Sequence, residues 1–341
     1  MRNAIPIFIL ILFKSVGFAQ TEPKVILDKT FDRAKQISLY SARVDWETLR
    51  RQVYAKAENA KTIRDLKPAF EALLNGLRDH HGRITDARSF ADIANFTDWA
   101  NLNHPDQRPR DPKIHALIND SSNQFAYKRL DGNIGYLKIV GIAPNIDIQK
   151  ESERIRRAVI ELSAAKVDKW IIDLRYNSGG NMNPMMAGIG PLVGEGKVGD
   201  LVDLKGTRQF DWVIRNGNFI YGGSQAANLP YEPKFRKLPK IAVLTSRYTV
   251  SSGEIVATAL KGRPNARSFG EATGSYTTNN SWDIIDGEVV VAISTGVFAD
   301  RTGTGYPINI PVDEAVPFEI NKAPGEDKCI IAARRWLLQK K

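Results

Sequence analysis

Two adjacent serines stand where an apolar stretch gives way to a predicted helix. Residues 241–260 read IAVLTSRYTVSSGEIVATAL, and Ser251 and Ser252 lie at the start of the helical part. A helix N-terminus leaves N–H groups unpaired and carries partial positive charge, so it can stabilise an alkoxide or the oxyanion of an acyl intermediate. The alternative is an ordinary helix cap, in which Glu254 completes a capping box.

Paired glycines follow a second apolar run. Residues 170–183 read WIIDLRYNSGGNMN, and the predicted strand leads through Asp173 into Asn177-Ser178-Gly179-Gly180. Glycines after a parallel strand let the backbone approach a ligand and direct N–H groups at it. A tight turn without a ligand is the other interpretation. A phosphate loop is excluded because its Gly-Lys-Ser/Thr ending is absent.

Histidine could take a proton from a serine near neutral pH, because its ordinary pKa lies close to that range. The chain has four histidines, His80, His81, His104 and His115, and the last two fall in a loop-like segment. His81 continues the helical apolar spacing of positions 66, 70, 73, 74 and 77, so we expect it to point toward the core. Its alternative role is a cation that satisfies the last carbonyls of the helix.

A metal site is the other chemistry that Asp79, His80 and His81 suggest. Adjacent helical residues point about 100° apart, so the two histidines cannot readily bind one ion from a helix. The single cysteine, Cys329, lies outside every segment described above, and the histidines lack the spacing of one helical face. We therefore predict no metal, no other cofactor, no cysteine nucleophile and no internal disulfide.

Strands and helices alternate from residue 133 onward and would position these groups. Apolar runs predict strands at residues 134–140, 170–174, 241–244 and 269–270, with helices at 155–162, 182–189 and 251–260. Asp286-Gly287 separates two further runs, 282–285 and 289–293, and predicts a hairpin. The alternation predicts an α/β fold with a largely parallel β-sheet core flanked by helices.

The region before this core is predicted to be different. Residues 24–82 have helical patterns, whereas residues 83–131 are rich in Asp, Asn, Pro and Arg and contain no convincing run of strands. We divide the chain into a signal peptide at 1–19, an N-terminal helical region and linker at 20–131, the α/β core at 132–320, and a C-terminal helix and tail at 321–341.

The signal peptide is predicted from the first residues. Arg2 precedes ten apolar residues, AIPIFILILF, and Gly17-Phe18-Ala19 supplies a small-x-small cleavage motif. A membrane anchor is the alternative, but a bilayer span needs roughly 20 apolar residues. We therefore expect an exported protein, periplasmic or extracellular, without an integral membrane segment after cleavage. The net charge of +10 is dispersed along the chain without a nucleic-acid-binding motif, so we predict no nucleic-acid partner.

Four motifs, taken together, resemble those of the tail-specific (C-terminal processing) serine peptidases. They are IGYLKI, DLRYNSGG, TVSSGEIVATAL and FGEATG, in that order, and the resemblance covers about residues 133–315. It implies a ClpP/crotonase-like core and makes Ser251 the nucleophile, three residues before Glu254. It also implies an oxyanion hole formed by the amide of Ser252 and an amide of Gly179 or Gly180.

The chain departs from the bacterial and chloroplast processing peptidases in two respects. Their catalytic lysine would fall at Tyr276, and the 49 residues at 83–131 are too few for their PDZ domain. The chain is more similar to the tricorn-core and interphotoreceptor retinoid-binding-protein branch, which takes a histidine from a Leu-x-Asp-x-His motif. Residues 77–81 read LRDHH. This resemblance implies that His81 is the base.

A third catalytic group is less well defined by the resemblance. Glu314, beside Asp313, is the acid that we assign. Tyr306 is an alternative alignment of the expected position, and Glu254 is a further alternative. The resulting hypothesis is an exported serine peptidase that acts on a peptide or protein through an acyl-enzyme. The alternative is a catalytically inactive protein on the same fold that binds a hydrophobic ligand or a peptide.

Overall fold

The computed structural model describes residues 22–102, 111–320 and 322–339. The predicted signal peptide at 1–19 lies outside these residues, as does most of the predicted loop at 103–112. No helix in the described part of the chain combines the length and apolar character needed to span a bilayer.

Helices occupy both ends of the described part of the chain and alternate with strands in its middle. The α-helices of the described residues are α1 Pro23–Ile37, α2 Trp46–Lys56, α3 Lys67–Leu77, α4 Pro112–Asn119, α5 Ile148–Ala164, α6 Met182–Gly188, α7 Gly190–Val193, α8 Ser252–Leu260 and α9 Lys328–Leu338. Local sequence explains several starts: Asp45, Asp111, Asp147 and Asp327 each accept a backbone N–H bond at the N-terminus of the helix that follows.

The strands of the described residues fall into three sheets. In chain order they are β1 Arg83–Asp86, β2 Asp92–Asn95, β3 Ala126–Leu130, β4 Ile134–Lys138, β5 Lys169–Asp173, β6 Gly196–Val202, β7 Arg208–Arg215, β8 Asn218–Tyr221, β9 Ser224–Gln225, β10 Lys240–Thr245, β11 Ala266–Gly270, β12 Thr278–Asn280, β13 Asp283–Ile285, β14 Val289–Ala292, β15 Ser294–Asp300 and β16 Glu314–Ala315.

The central sheet has the order β16-β11-β10-β5-β4-β3. All neighbouring pairs are parallel except β3 with β4, so the predicted largely parallel core is confirmed. Apolar residues of α5, α6 and α8 cover one face of this sheet, and α9 covers the other. Burial of both faces explains why β5 and β10 are almost uninterrupted apolar runs.

A six-stranded antiparallel sheet, β12-β15-β6-β7-β8-β9, packs beside this core. The third sheet, β13-β14-β1-β2, contains the predicted hairpin of β13 and β14, which is confirmed. The prediction that residues 83–131 hold no strands is wrong, because β1, β2 and β3 lie there. Strands β1 and β2 are only four residues long, and β1 is completed by β14 from the far end of the chain.

The N-terminal helices pack on this third sheet. Phe31 of α1, Phe70 and Leu73 of α3 and Ile84 of β1 share a buried cluster with Val289 of β14. The sheet therefore joins the N-terminal region to the C-terminal half of the chain by strand pairing and by a common core.

Helix α3 ends earlier than the apolar spacing predicts. Arg78 adopts a left-handed conformation with φ of 57°, and its N–H and that of Asp79 bond to carbonyls of the last turn. Such a residue terminates a helix and reverses the chain direction. The apolar spacing predicts that His81 lies on α3. In the structure it lies instead in the turn that leads from α3 to β1.

Candidate active site

Ser251 lies between β10 and α8 in a strained backbone conformation. It is the N-cap of α8, with φ of 53° and ψ of −117°. Non-glycine residues rarely adopt positive φ, and such strain is concentrated at functional sites. The carboxylate of Glu254 accepts the Ser251 N–H at 2.8 Å, so the first turn of the helix holds this backbone.

The structure brings Ser251 and His81 together. The Ser251 Oγ lies 3.2 Å from His81 Nε2, although the two residues are 170 positions apart in the chain. This contact joins the start of α8 to the turn before β1. A distance of this size allows a hydrogen bond from the hydroxyl to the imidazole.

The other ring nitrogen of His81 has a partner on β12. Its Nδ1 lies 2.8 Å from the Thr278 Oγ1. The edge of the ring also packs against Tyr276, with centroids 5.0 Å apart and planes at 83°. Burial, followed by repulsion from His80, lowers the pKa of His81 to about 3. The imidazole is therefore neutral at neutral pH, which is the form that can accept a proton.

Thr278 continues into a buried polar network. Its Oγ1 lies 2.9 Å from the Ser294 Oγ, which donates to Asp79 Oδ1 at 2.7 Å. The Ser294 N–H donates to Asp79 Oδ2 at 2.8 Å. Burial raises the pKa of Asp79, against the opposing effect of these two hydrogen bonds from Ser294.

The glycine turn after β5 faces Ser251. The Gly179 N–H donates to the Asn177 side-chain oxygen at 2.9 Å. Among the hydrogen bonds of the described residues, none uses the backbone N–H of Gly180 or of Ser252. The Ser252 hydroxyl donates to the Gly180 carbonyl at 2.5 Å and so holds the two segments together. Of the two predicted glycine donors, Gly180 is the one whose N–H has no such partner.

Both glycines are required by the shape of this turn. Gly179 and Gly180 have φ values of 89° and 97°. A Cβ on Gly180 would lie 1.9 Å from the Ile142 carbonyl oxygen, and one on Gly179 would lie 2.8 Å from the Ser251 Cβ. A side chain at either position would push the turn away from its neighbours.

Glu254 has the position of a structural carboxylate. It is fully buried, and its oxygens accept bonds from the Ser251, Ser275 and Tyr276 amides and from the Thr273 hydroxyl. Burial raises its pKa to about 7, although the four hydrogen bonds favour the charged form. Glu254 therefore links the start of α8 to the segment that carries Tyr276 over the His81 ring.

Glu314 is not part of this network. It lies on β16 and forms ion pairs with Arg267 and Arg335. The neighbouring Asp313 pairs with Lys261, and the Tyr306 hydroxyl donates to Asp300. The contacts of these groups therefore give no support to a third catalytic role at this end of the chain.

A cavity of about 860 Å³ opens over Ser251 and His81. Aromatic and amide side chains dominate its wall, and among its lining residues in the described chain there is no Asp or Glu. Arg83, a cation on the wall, pairs with Asp92. The aromatic members are Phe90, Phe96, Trp99, Tyr221, Tyr276, Trp282 and Phe298. Such a wall suits an extended chain with uncharged side chains.

Several residues around the site have no signal in the sequence. Thr278 and Ser294 are ordinary hydroxyl residues in strands, and their contacts depend on how β12 pairs with β15. Asp79 stands in the motif at 77–81, but Ser294, which donates two hydrogen bonds to it, lies 215 positions away. Only the position of Asp79 beside His80 and His81 in the sequence could have indicated that it belongs to the site. In the described residues, no three side chains of His, Cys, Asp or Glu are grouped as metal ligands would be.

Comparison with known proteins identifies the family. The model of peptidase family S41 matches residues 133–314. The chain is 34% identical over 142 residues to the nisin-resistance protein of Lactococcus lactis subsp. lactis, which covers 42% of this chain and 43% of that protein. It is 26% identical over 189 residues to carboxyl-terminal-processing peptidase 2, chloroplastic, of Arabidopsis thaliana. This alignment covers 54% of this chain and 33% of that protein.

The matched segments thus span less than half the length of these curated relatives. A solved structure of a lipoprotein from Streptococcus agalactiae has a TM-score of 0.71 and 22% identity, covering 98% of this chain and 99% of that one. The likeness shows the same fold. Because the family model matches more than half of the sequence, including the segments around Ser251 and the glycine turn, the chain belongs to peptidase family S41.

Proposed function

We propose that this protein is a serine peptidase that cleaves peptide bonds through an acyl-enzyme, with Ser251 as nucleophile and His81 as general base. The observation that carries the proposal is the 3.2 Å approach of the Ser251 Oγ to His81 Nε2. Membership of peptidase family S41 supports the reaction class. A nucleophile within hydrogen-bonding reach of a base, itself oriented by a third group, is the arrangement that covalent hydrolysis needs.

The first step is attack on a peptide carbonyl. The Ser251 Oγ forms a bond to the carbonyl carbon, its proton passes to His81 Nε2, and an electron pair of the C=O bond moves onto oxygen. His81 starts neutral because its pKa is lowered to about 3. General-base assistance of this kind contributes roughly 10²–10⁴-fold to the rate.

The oxyanion is stabilised by backbone amides. We assign this role to the N–H groups of Gly180 and Ser252, which have no hydrogen-bond partner among the described residues. Loss of one donor from an oxyanion hole typically costs about 10²–10³ in rate. The intermediate collapses when the C–N bond breaks and His81 returns its proton to the leaving amine. Water then repeats the sequence on the acyl group and releases Ser251.

The cavity wall favours peptides without charged side chains near the scissile bond. No described residue that lines it is an Asp or Glu, and the charge of Arg83 is paired with Asp92. Membership of peptidase family S41 supports a peptide or protein substrate, and the predicted signal peptide at residues 1–19 supports export. We therefore propose an exported enzyme that acts on extracytoplasmic peptides.

A fluorophosphonate probe tests the assignment without knowledge of the substrate. The wild-type protein should gain one covalent adduct by intact mass, on Ser251. Ser251→Ala should gain none, and His81→Gln should react about 10²-fold or more slowly. The matched controls are Ser121→Ala and His115→Gln, which change exposed residues and should label like wild type.

Equal labelling of wild type and Ser251→Ala would refute the nucleophile. Peptide binding in the cavity without labelling or hydrolysis would instead indicate the binding protein on the same fold.

A further inference from the structure

We infer that Asp79 orients the catalytic imidazole from a distance, through the hydroxyls of Ser294 and Thr278. The inference rests on the proposed roles of Ser251 and His81 and adds three positioning residues to them. None of the three touches the reacting atoms. Their role is to determine which nitrogen of His81 carries its proton before the substrate binds.

The chain of contacts is continuous. From Asp79 Oδ1 it runs 2.7 Å to the Ser294 Oγ, 2.9 Å to the Thr278 Oγ1, and 2.8 Å to His81 Nδ1. From His81 Nε2 it continues 3.2 Å to the Ser251 Oγ. Every step lies within the distance range of a hydrogen bond.

Asp79, as the acceptor at one end, determines the direction of every hydrogen bond between it and His81. Asp79 receives N–H bonds from Ser294 on Oδ2 and from His81 on Oδ1, so both oxygens act as acceptors. The Ser294 hydroxyl must then donate to Asp79 and accept from Thr278. The Thr278 hydroxyl in turn accepts from His81, which places the ring proton on Nδ1 and leaves Nε2 free to accept from Ser251.

Burial protects this order. Asp79 and Ser294 have no exposed surface, and Thr278 is only 3% exposed, so bulk water cannot easily replace a member. The Asn280 side-chain oxygen lies 3.3 Å from the Ser294 Oγ, a longer alternative acceptor, while its amide nitrogen donates to the His81 carbonyl. Of the other ionisable groups, Tyr40 interacts with Asp79 and with the Ser294 side chain, and the electrostatic interaction with His80 lowers the pKa of Asp79.

Replacing one carboxylate oxygen of Asp79 by a nitrogen should reverse the direction of the hydrogen bonds that lead to His81. In Asp79→Asn, the side-chain oxygen can still accept the Ser294 N–H, but the new NH₂ group must face the Ser294 hydroxyl as a donor. Ser294 then donates to Thr278, and Thr278 donates to His81 Nδ1. The ring proton moves to Nε2, which can no longer accept from Ser251.

The test combines an activity readout with one that does not need activity. Fluorophosphonate labelling rates report on Ser251, and ¹⁵N NMR of the imidazole reports which ring nitrogen is protonated. The wild type should have the proton on Nδ1. Asp79→Asn should have it on Nε2 and label about 10²–10³-fold more slowly, less than the roughly 10⁴-fold known when such an acid contacts the imidazole directly.

Thr278 supplies the variants that should fold normally. Thr278→Val removes the hydroxyl at nearly constant shape and should mix the two imidazole tautomers and slow labelling about 10- to 100-fold. Thr278→Ser keeps the hydroxyl and should restore both readouts toward wild type. The matched control is Thr277→Val, because Thr277 is similarly buried and its Oγ1 has no hydrogen-bond partner in the part of the chain that the structure describes. This variant should change neither readout.

The outcomes separate the two proposals. Normal labelling and an unchanged tautomer in Thr278→Val would overturn the positioning role and leave the serine peptidase intact. A wild type that never labels, yet shifts its tautomer in Thr278→Val and recovers in Thr278→Ser, would overturn the peptidase and support the positioning role. If Asp79→Asn fails to fold, the Thr278 pair alone decides.

Discussion

Ser251 combines two roles that appear as alternatives in the sequence. Its backbone belongs to the cap of α8, where Glu254 accepts its N–H, while its hydroxyl points to His81 rather than into the helix. The positive φ that makes this possible costs about 1–3 kcal/mol, which the surrounding contacts must offset. A capping motif and the proposed nucleophile are therefore compatible at one position.

His81 should make the stability of the protein depend on pH. Its pKa is about 3 in the folded protein against 6.5 ordinarily, so below pH 6.5 the unfolded chain binds a proton that the native state does not. The free energy of unfolding should therefore fall as the pH falls through this window, by at most about 1.4 kcal/mol per pH unit from this group. Urea unfolding at about pH 8 and about pH 5 measures the effect.

The comparison is between wild type and His81→Gln, which lacks the titrating ring. The variant should lose less stability on acidification than wild type, whereas the exposed-site control His115→Gln should behave as wild type. Identical pH dependence in all three proteins would contradict a buried neutral imidazole.

At the scale of elements, the site depends on the segment between β11 and β12. Residues 273–276 have no regular secondary structure, yet they place Ser275 against His80 and Tyr276 against the His81 ring. Glu254 holds this segment through the Thr273 hydroxyl and two backbone amides. One carboxylate at the start of α8 therefore supports both the proposed nucleophile and the wall of the cavity.

We expect Glu254→Gln to destabilise the protein although it keeps the shape. In the wild type, each carboxylate oxygen of Glu254 accepts two hydrogen bonds. The side-chain nitrogen of the new glutamine cannot accept a hydrogen bond, so the donors on that side lose their partner. Each donor left unpaired should lower the free energy of unfolding by about 1–3 kcal/mol. Chemical unfolding of the variant measures the loss. Glu58→Gln, at an exposed position after α2, is the control and should leave the stability unchanged. A stable Glu254→Gln protein with slow labelling would mean that Glu254 acts on the chemistry rather than on the fold.

The elements differ in how well the sequence predicts them. Strands β4, β5, β10 and β11 can be predicted from the sequence. Helices bury both faces of their sheet, so these strands consist mostly of apolar residues. The antiparallel strands β6 to β9 are not predicted from the sequence. Strand β6 pairs with β15, far along the chain, and β7, β8 and β9 follow it in the sheet. Local periodicity carries no information about such partners.

At the scale of the whole molecule, the site residues that depend on distant strand pairing are also not predicted by the sequence. Ser251, Ser252, His81 and the glycines can be assigned from motifs, but Thr278 and Ser294 cannot. Their approach depends on the pairing of β12 with β15, where the register shifts between Asn279 and Asn280. The end of α3 at Leu77 was also missed, because a left-handed Arg78 overrides the apolar spacing. Glu314 lies in ion pairs at the edge of the central sheet.

A buried ionic cluster fastens the C-terminal helix to the core. Arg175 follows β5 and pairs with Asp173 and with Asp327, the N-cap of α9, and all three side chains are at most 5% exposed. Burial would raise the pKa of Asp173, but the Arg175 charge and its hydrogen bonds hold it below the ordinary value. The glycine turn begins two residues after Arg175, so the cluster also supports the site.

Arg175→Met should therefore be strongly destabilising, by about 3–5 kcal/mol, because it leaves two buried carboxylates without their cation. Thermal and chemical unfolding measure the loss. Arg335→Met is the matched control: its side chain is 67% exposed and its pair with Glu314 should contribute less than about 1 kcal/mol. Equal stability of the two variants would contradict the role of the buried cluster.

The pairing of β1 with β14 has a consequence for the order of events during synthesis. A ribosome delivers the chain from its N-terminus, so His81 emerges early, long before Ser251, Thr278 and Ser294. The turn that carries the imidazole is not held in register until β14 has been translated and has joined β1. The residues of the proposed site therefore cannot come together in a nascent chain until β14 and Ser294 have been translated.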